Sequence, residues 1–197
     1  MKLRRVCLIL ISALLLSACS GGGEGAEGDT FVFTDDLGRR VEAPARPERA
    51  AALIGSFADV WCLAGGRDTL CAAAADAWTS FELGLGEEVA NLGAVKEPSL
   101  EALLAANPDF VLASANTAAD LELLPTLESA GIPVACFDVQ GFEDYLNMLD
   151  ICTQLTGERE NYQKYGLDVR EEIEAAVARA DGSAPSVLVI RATGVSC

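Results

Sequence analysis

From residue 30 the chain alternates short apolar runs with amphipathic segments, and Gly and Pro punctuate them. Phe31-Val32-Phe33-Thr34 and Arg40-Val41-Glu42 flank Asp35-Asp36-Leu37-Gly38, which predicts a short hairpin with Gly at the turn. Pro44 and Pro47 then break the chain. Strands are predicted at Ala50–Ile54, Thr69–Ala75, Phe110–Ala113 and Pro133–Phe137. Between them lie a helix from Phe57 to Ala64 closed by Gly65-Gly66, a short helix Ser99–Leu104 stopping at Asn107-Pro108, and a helix Leu121–Ala130 ending at Gly131. Buried-type strands alternating with helices over short links predict a parallel sheet covered on both faces. No internal repeat is present.

After Gly141 the pattern changes. Phe142 to Leu155 reads as one helix with Gly157 as its stop. Glu158 to Ala180 then carries Tyr162, Tyr165, Val169, Ile173, Ala176, Val177 and Ala180 at helical spacing. That predicts a helix of about 23 residues, roughly 35 Å long. Arg170, Glu171, Glu172 and Glu174 mark its solvated face. Asp181-Gly182-Ser183-Ala184-Pro185 ends the helix, and Ser186-Val187-Leu188-Val189-Ile190 starts a new strand. A lone parallel-type strand needs neighbours. Either it joins the existing sheet as an edge, or it opens a second lobe that the sequence interrupts; the length of the helix favours the second. The expected fold class is α/β: a Rossmann-like parallel-sheet lobe over 30–155, a long inter-lobe helix over 158–181, and the first strand of a second lobe within 186–197.

The first residues differ in kind. Met1-Lys2-Leu3-Arg4-Arg5 is basic, Val6 to Leu16 is apolar, and Leu16-Ser17-Ala18-Cys19 closes the run with small residues. This is the plan of a secretory signal over residues 1–18, and the run is shorter than the roughly 17–25 residues of a spanning helix. Leu16-Ser17-Ala18-Cys19 resembles a bacterial lipobox, which implies cleavage before Cys19 and a diacylglycerol on its sulfur. Residues 19–29, largely Gly and Glu, have no apolar pattern and read as a flexible tether averaging about 17 Å end to end.

Composition narrows the chemistry. The formal charge is −16, from 14 Lys plus Arg against 30 Asp plus Glu. That argues against a nucleic-acid partner, which needs a basic face. Loss of the basic leader makes the mature body more acidic still, so a covalent lipid suits membrane attachment better than a surface patch. There is no histidine. Ser-His-Asp and Cys-His nucleophiles, HExxH zinc sites and histidine-ligated haem are therefore excluded within these residues. Beyond Cys7 and Cys19, the cysteines Cys62, Cys71, Cys136, Cys152 and Cys197 sit mostly in apolar runs, which favours buried free thiols over a disulfide framework. No CxxC pair suggests a zinc knuckle.

Three segments resemble the substrate-binding proteins of ABC importers for iron-siderophores, haem and cobalamin. They are Thr34–Val41 with Pro47-Glu48-Arg49-Ala50; Leu92–Glu101 running through Asn107–Ser114; and Leu124–Phe137, with Ala130-Gly131-Ile132-Pro133-Val134. The resemblance spans about residues 30–191. It implies two α/β lobes joined by one long helix with the ligand between them, a binding protein rather than an enzyme, and an ABC permease as partner. The lipobox adds a lipid-anchored location on the extracytoplasmic face of the cell membrane, and the resemblance makes a ferric siderophore the first choice of ligand, with haem or cobalamin as alternatives. By the same resemblance Glu101 matches an acidic permease-docking position; it reads equally as a solvated first-turn glutamate stabilised by the helix dipole.

In open parallel sheets ligands sit beyond the carboxyl ends of the strands. The loops there begin at Gly55-Ser56-Phe57, Asp76-Ala77-Trp78, Gly93–Glu97, Ala115-Asn116 and Val139-Gln140. For a large, partly apolar ligand, Phe57 and Trp78 are candidate walls, and Ser56, Lys96, Asn116 and Gln140 candidate polar pins. Phe57 reads equally as a core residue at a helix start, Trp78 reads as exposed, and Lys96 reads equally as an ordinary surface lysine. Two other function classes compete. A dinucleotide-binding enzyme needs a phosphate loop, but Gly84-Leu85-Gly86-Glu87-Glu88-Val89 fails GxGxxG and no GxxxxGK occurs. A surface lipoprotein with a sensing or structural role needs only the anchor.

Overall fold

The computed structural model describes residues 30–180 together with Gly182, Ser186 and Leu188. The signal at 1–18, Cys19, the tether at 19–29 and most of the strand expected at Ser186–Ile190 lie outside the described residues.

The predicted hairpin is present, with β1 (Thr30–Thr34) antiparallel to β2 (Arg40–Pro44). The series that follows is β3 (Ala50–Ala52), α1 (Gly55–Trp61), β4 (Leu70–Ala73), α2 (Asp76–Thr79), β5 (Ala90–Asn91), α3 (Leu100–Ala105), β6 (Phe110–Ser114), α4 (Ala118–Ser129) and β7 (Val134–Phe137). Then come α5 (Phe142–Thr156), α6 (Arg159–Tyr162) and α7 (Asp168–Ala178). The five strands β3–β7 pair in parallel in the order β5-β4-β3-β6-β7.

Alternate residues of each central strand face opposite sides, as the strand period demands. Phe110, Leu112, Ala135 and Phe137 join the side chains of α1 and α5 on one face. Val111, Ala113, Val134 and Cys136 join those of α3 and α4 on the other. Both faces are covered, which explains why these strands read as continuous apolar runs.

Small side chains set how closely the layers approach. β3 is Ala-Ala-Ala, wholly buried. Over the sheet lies the fully buried Trp61, its ring 5.9 Å from that of Phe110. Its indole N–H donates to Thr69 Oγ1 at 3.1 Å, and that hydroxyl donates to the Gly66 carbonyl at 2.9 Å. A Cβ at Gly66 would stand 2.2 Å from the indole nitrogen, so this position tolerates no side chain.

The hairpin is locked to β7 by its turn. The buried Asp35 accepts from the Leu37 and Arg39 amides through Oδ1, and from Cys136 N–H at 3.1 Å through Oδ2. Asp36 N–H donates to the Cys136 carbonyl at 3.0 Å. Arg39 pairs with Asp35, donates to the Val134 carbonyl at 3.0 Å and reaches Glu128 at 2.6 Å. The turn thus occupies the hydrogen-bonding edge that β7 presents as the last strand.

Three features depart from the sequence reading. Asp76-Ala77-Trp78 forms the single helical turn α2 rather than open loop, and Ala90–Asn91 adds a strand that two residues cannot announce by periodicity. The long helix is present but changes pitch: α6 and α7 are joined through a widened turn at Gln163–Leu167. The buried Gly166 sits there, where a Cβ would come 2.9 Å from Leu146 Cδ2, and the flanking Tyr162 and Tyr165 both pack against the core. Thereafter the expected apolar stripe is uncovered: every residue from Glu171 to Ala180 is exposed, Val177 by 68%.

Replacing Asp35 with Ala strands Arg39 and the Cys136 amide together. Urea denaturation is expected to show a loss of about 3 kcal/mol. A variant as stable as the parent would contradict this account of the hairpin lock.

Candidate polar edge at the sheet switch point

Strand order fixes where a ligand site can form. The chain leaves β3 into α1 on one face of the sheet and leaves β6 into α4 on the other. Adjacent strands whose connections diverge in this way leave a crevice beyond their carboxyl ends. Ser56 stands at the α1 side of it and Asn116 at the α4 side.

Around Asn116 the loops form one hydrogen-bonded edge. Asn116 Nδ2 donates to Asp138 Oδ1, and Gln140 Nε2 donates to Asp138 Oδ1 and Oδ2 at 2.9 and 3.2 Å. Asp138 is itself held by its backbone N–H, which donates to Asp36 Oδ2 at 2.7 Å, so the hairpin turn supports the edge. The Gln140 and Gly141 amides donate to Asp144 Oδ2 at 3.0 and 2.8 Å, fixing the entrance to α5. Both side-chain amide nitrogens are thus turned onto Asp138.

The other sequence candidates scatter. Ser56 is half-buried at the start of α1, beside Gly55, whose N–H donates to Asp76 Oδ1 at 2.9 Å. Phe57 is buried, its ring edge-on to Phe137 at 6.1 Å, and is spent on the core rather than on a ligand wall. Trp78 is half-buried, not exposed: its indole N–H donates to the Leu85 carbonyl at 3.1 Å and ties down the segment after α2. Lys96 is exposed beyond β5, at the opposite edge of the sheet from Gln140. Four strand spacings place those two loops about 19 Å apart. Glu101 is exposed in the first turn of α3, where Ser99 Oγ accepts from the Ala102 amide at 3.2 Å.

Sequence reasoning missed Asp138, Asp36 and Asp120. Thr117-Ala118-Ala119-Asp120 has the spacing of a helix-capping pair, which is the signal that was available. In the structure Asp120 turns instead to the end of β6, where Oδ2 accepts from Ser114 N–H at 2.7 Å. The residue is 1% exposed, and its Oδ1 has no partner among the described residues. Burial pushes its carboxyl up to about 6, against a smaller downward pull from the Ser114 amide.

The described cysteines Cys62, Cys71, Cys136 and Cys152 are free thiols. Burial pushes the Cys136 thiol up to about 11, opposed by Arg39, whose Nη2 lies 3.4 Å from the sulfur. Two open grooves, lined by Arg39, Arg40, Glu128 and Ile132 and by Pro44, Pro108 and Pro133, lie at the amino ends of the strands, away from the polar edge.

A family model described as periplasmic binding protein matches residues 52–194. The chain belongs to that family. The likeness extends to solved structures at the level of fold. A petrobactin-binding protein, YclQ from Bacillus subtilis, superposes with a TM-score of 0.60 at 16% identity, covering 76% of this chain and 52% of its own. The iron-uptake substrate-binding protein PiuA from Streptococcus pneumoniae gives 0.64 at 18%, covering 80% and 56%. The periplasmic haem-binding protein HutB of Vibrio cholerae gives 0.57 at 21%, covering 68% and 51%. The chain thus spans about half the length of these structures. No curated protein matches the sequence.

Asp120 yields a pH prediction. A carboxyl raised above its unfolded value adds stability below that value, near 3.8, and gives it up as pH rises through about 6. Thermal unfolding of Asp120→Asn should therefore show a Tm that gains on the parent by a few degrees between about pH 5 and pH 7.5. An offset that does not change with pH would refute the shift.

Proposed function

We propose that this protein is the solute-binding component of an ABC importer, held at the extracytoplasmic face of the membrane by a lipid on Cys19. Its solute is a ferric siderophore in this reading, with haem and cobalamin as the alternatives. The observation that carries it is the polar edge Asn116–Asp138–Gln140 at the sheet switch point, in a chain whose family is one of binding proteins.

The chemistry supports a large chelate over a bare ion. No group of three or more His, Cys, Asp or Glu side chains among the described residues is arranged to hold a metal ion. The loops bearing Ser56, Asn116, Gln140 and Lys96 instead spread along the sheet, a breadth that suits a ligand making several separate contacts. Asn116 and Gln140 accept from its polar rim, Ser56 contacts it on the β3 side of Asn116, and Lys96 meets an anionic part at the far side. Phe57 and Trp78 are left out, because their rings serve packing. Glu101, exposed at the head of α3, is the position for pairing with basic residues of a permease, where opposite charge would orient docking and speed encounter.

Titration of the full-length protein with ferric siderophores, haem and cobalamin, followed by intrinsic tryptophan fluorescence, tests the ligand. Saturable binding by a ferric siderophore is expected, and Asp138→Ala should weaken it about tenfold by freeing Asn116 and Gln140. A folded protein that binds none of the three would overturn the reading. The anchor has its own test. Mass spectrometry of the membrane fraction should show a mature chain starting at a diacylated Cys19, and an unmodified soluble chain would exclude it.

A further inference from the structure

The connection from β6 to α4 carries Asn116, and its conformation is set from beneath. Ser114 ends β6 with its N–H on Asp120 Oδ2 at 2.7 Å and its hydroxyl accepting from Asn116 N–H at 3.1 Å. Asp120 N–H donates to the Thr117 carbonyl at 3.1 Å, and Ala115 N–H donates to the Phe137 carbonyl at 2.9 Å. One buried carboxylate therefore closes the short loop whose outer residue is Asn116. From Asn116 the contacts continue to Asp138 and Gln140.

We propose that Asp120 is the positioning residue of the polar edge: its ionised carboxylate, through Ser114, holds Asn116 against Asp138, and protonation of Asp120 loosens that edge. The inference deepens the solute-binding reading and, for its effect on affinity, rests on it.

The physical grounds are these. A hydrogen bond accepted by an ionised carboxylate is roughly twice as strong as one accepted by a neutral group. Asp120 is buried, and its second oxygen finds no partner among the described residues, so the fold keeps a polar carboxyl here at a cost that packing alone does not require. The shift of its carboxyl to about 6 puts the change of charge within a range that cells meet. Groups facing this region are the Cys136 thiol on β7, Glu128 farther along α4, and Asp35 and Arg39 of the hairpin turn, which are paired with each other. Two effects of protonation remain separate. Relief of the burial penalty stabilises the whole fold, while the weaker bond to Ser114 acts on the loop.

The test uses the full-length protein, labelled with ¹⁵N. The side-chain amide of Asn116 and the backbone amide of Ser114 are followed from about pH 8 down to pH 5. Both should shift with a common midpoint near 6, and Asp120→Asn should abolish the transition while the shared Oδ acceptor keeps the loop folded. A flat profile in the parent overturns the proposal without any variant being needed. So does a profile that survives Asp120→Asn. Ferric siderophore titrations at the two ends of the range form the second arm. Affinity should fall severalfold on acidification in the parent and stay level in Asp120→Asn. If the amides titrate together but no ferric siderophore, haem or cobalamin binds, the positioning role stands and the solute reading falls. Binding whose affinity is equally pH-sensitive in parent and variant removes Asp120 from control of the site.

Discussion

The carboxylate of Asp35 is the contact on which the rest of this structure leans. It is buried at the turn of the hairpin and accepts from two amides of its own loop, from the Cys136 amide of β7 and from the Arg39 guanidinium. An uncovered β7 would offer an open row of backbone groups to other chains. The turn meets those groups with a carboxylate and a neighbouring amide, so a side chain substitutes for a further strand. The next residue, Asp36, then holds the Asp138 amide. Closure of the sheet and support of the candidate site thus run through two consecutive residues of one turn.

Much of the fold was legible because the determining forces were local. The strand Phe110–Ser114, the hairpin, and the helix Phe142–Thr156 with its stop at Gly157 follow from periodicity and from glycines at left-handed positions. β5 was not legible, since two residues owe their strand conformation to the neighbouring β4 rather than to their own sequence. The widened turn at Gln163–Leu167 was hidden for a related reason: it depends on Gly166 meeting Leu146 and Leu149 of a different helix.

The candidate site divides along the same line. Asn116 and Gln140 became candidates because topology puts the residue after a parallel strand near a ligand. Their joint partner Asp138 was passed over, and nothing in the spacing shows that two amides converge on it. Phe57 illustrates the opposite case. An aromatic next to a strand end satisfies the pattern of a ligand wall, but its area is worth more in the core when a facing ring, here Phe137, is within reach. Lys96 was a candidate by its loop alone, and strand order sets that loop at the sheet edge away from Gln140.

The free thiols give the molecule a built-in reporter. Cys62 is half-buried at the end of α1, whereas Cys152 is wholly enclosed in α5 against the sheet, with its thiol pushed far up by burial. Alkylating reagents need both access and thiolate, so the two sulfurs should react on different clocks. Cys62 would register local breathing near the start of the long helix. Cys152 would stay silent until the core opens, so its labelling rate would time the loss of the fold itself.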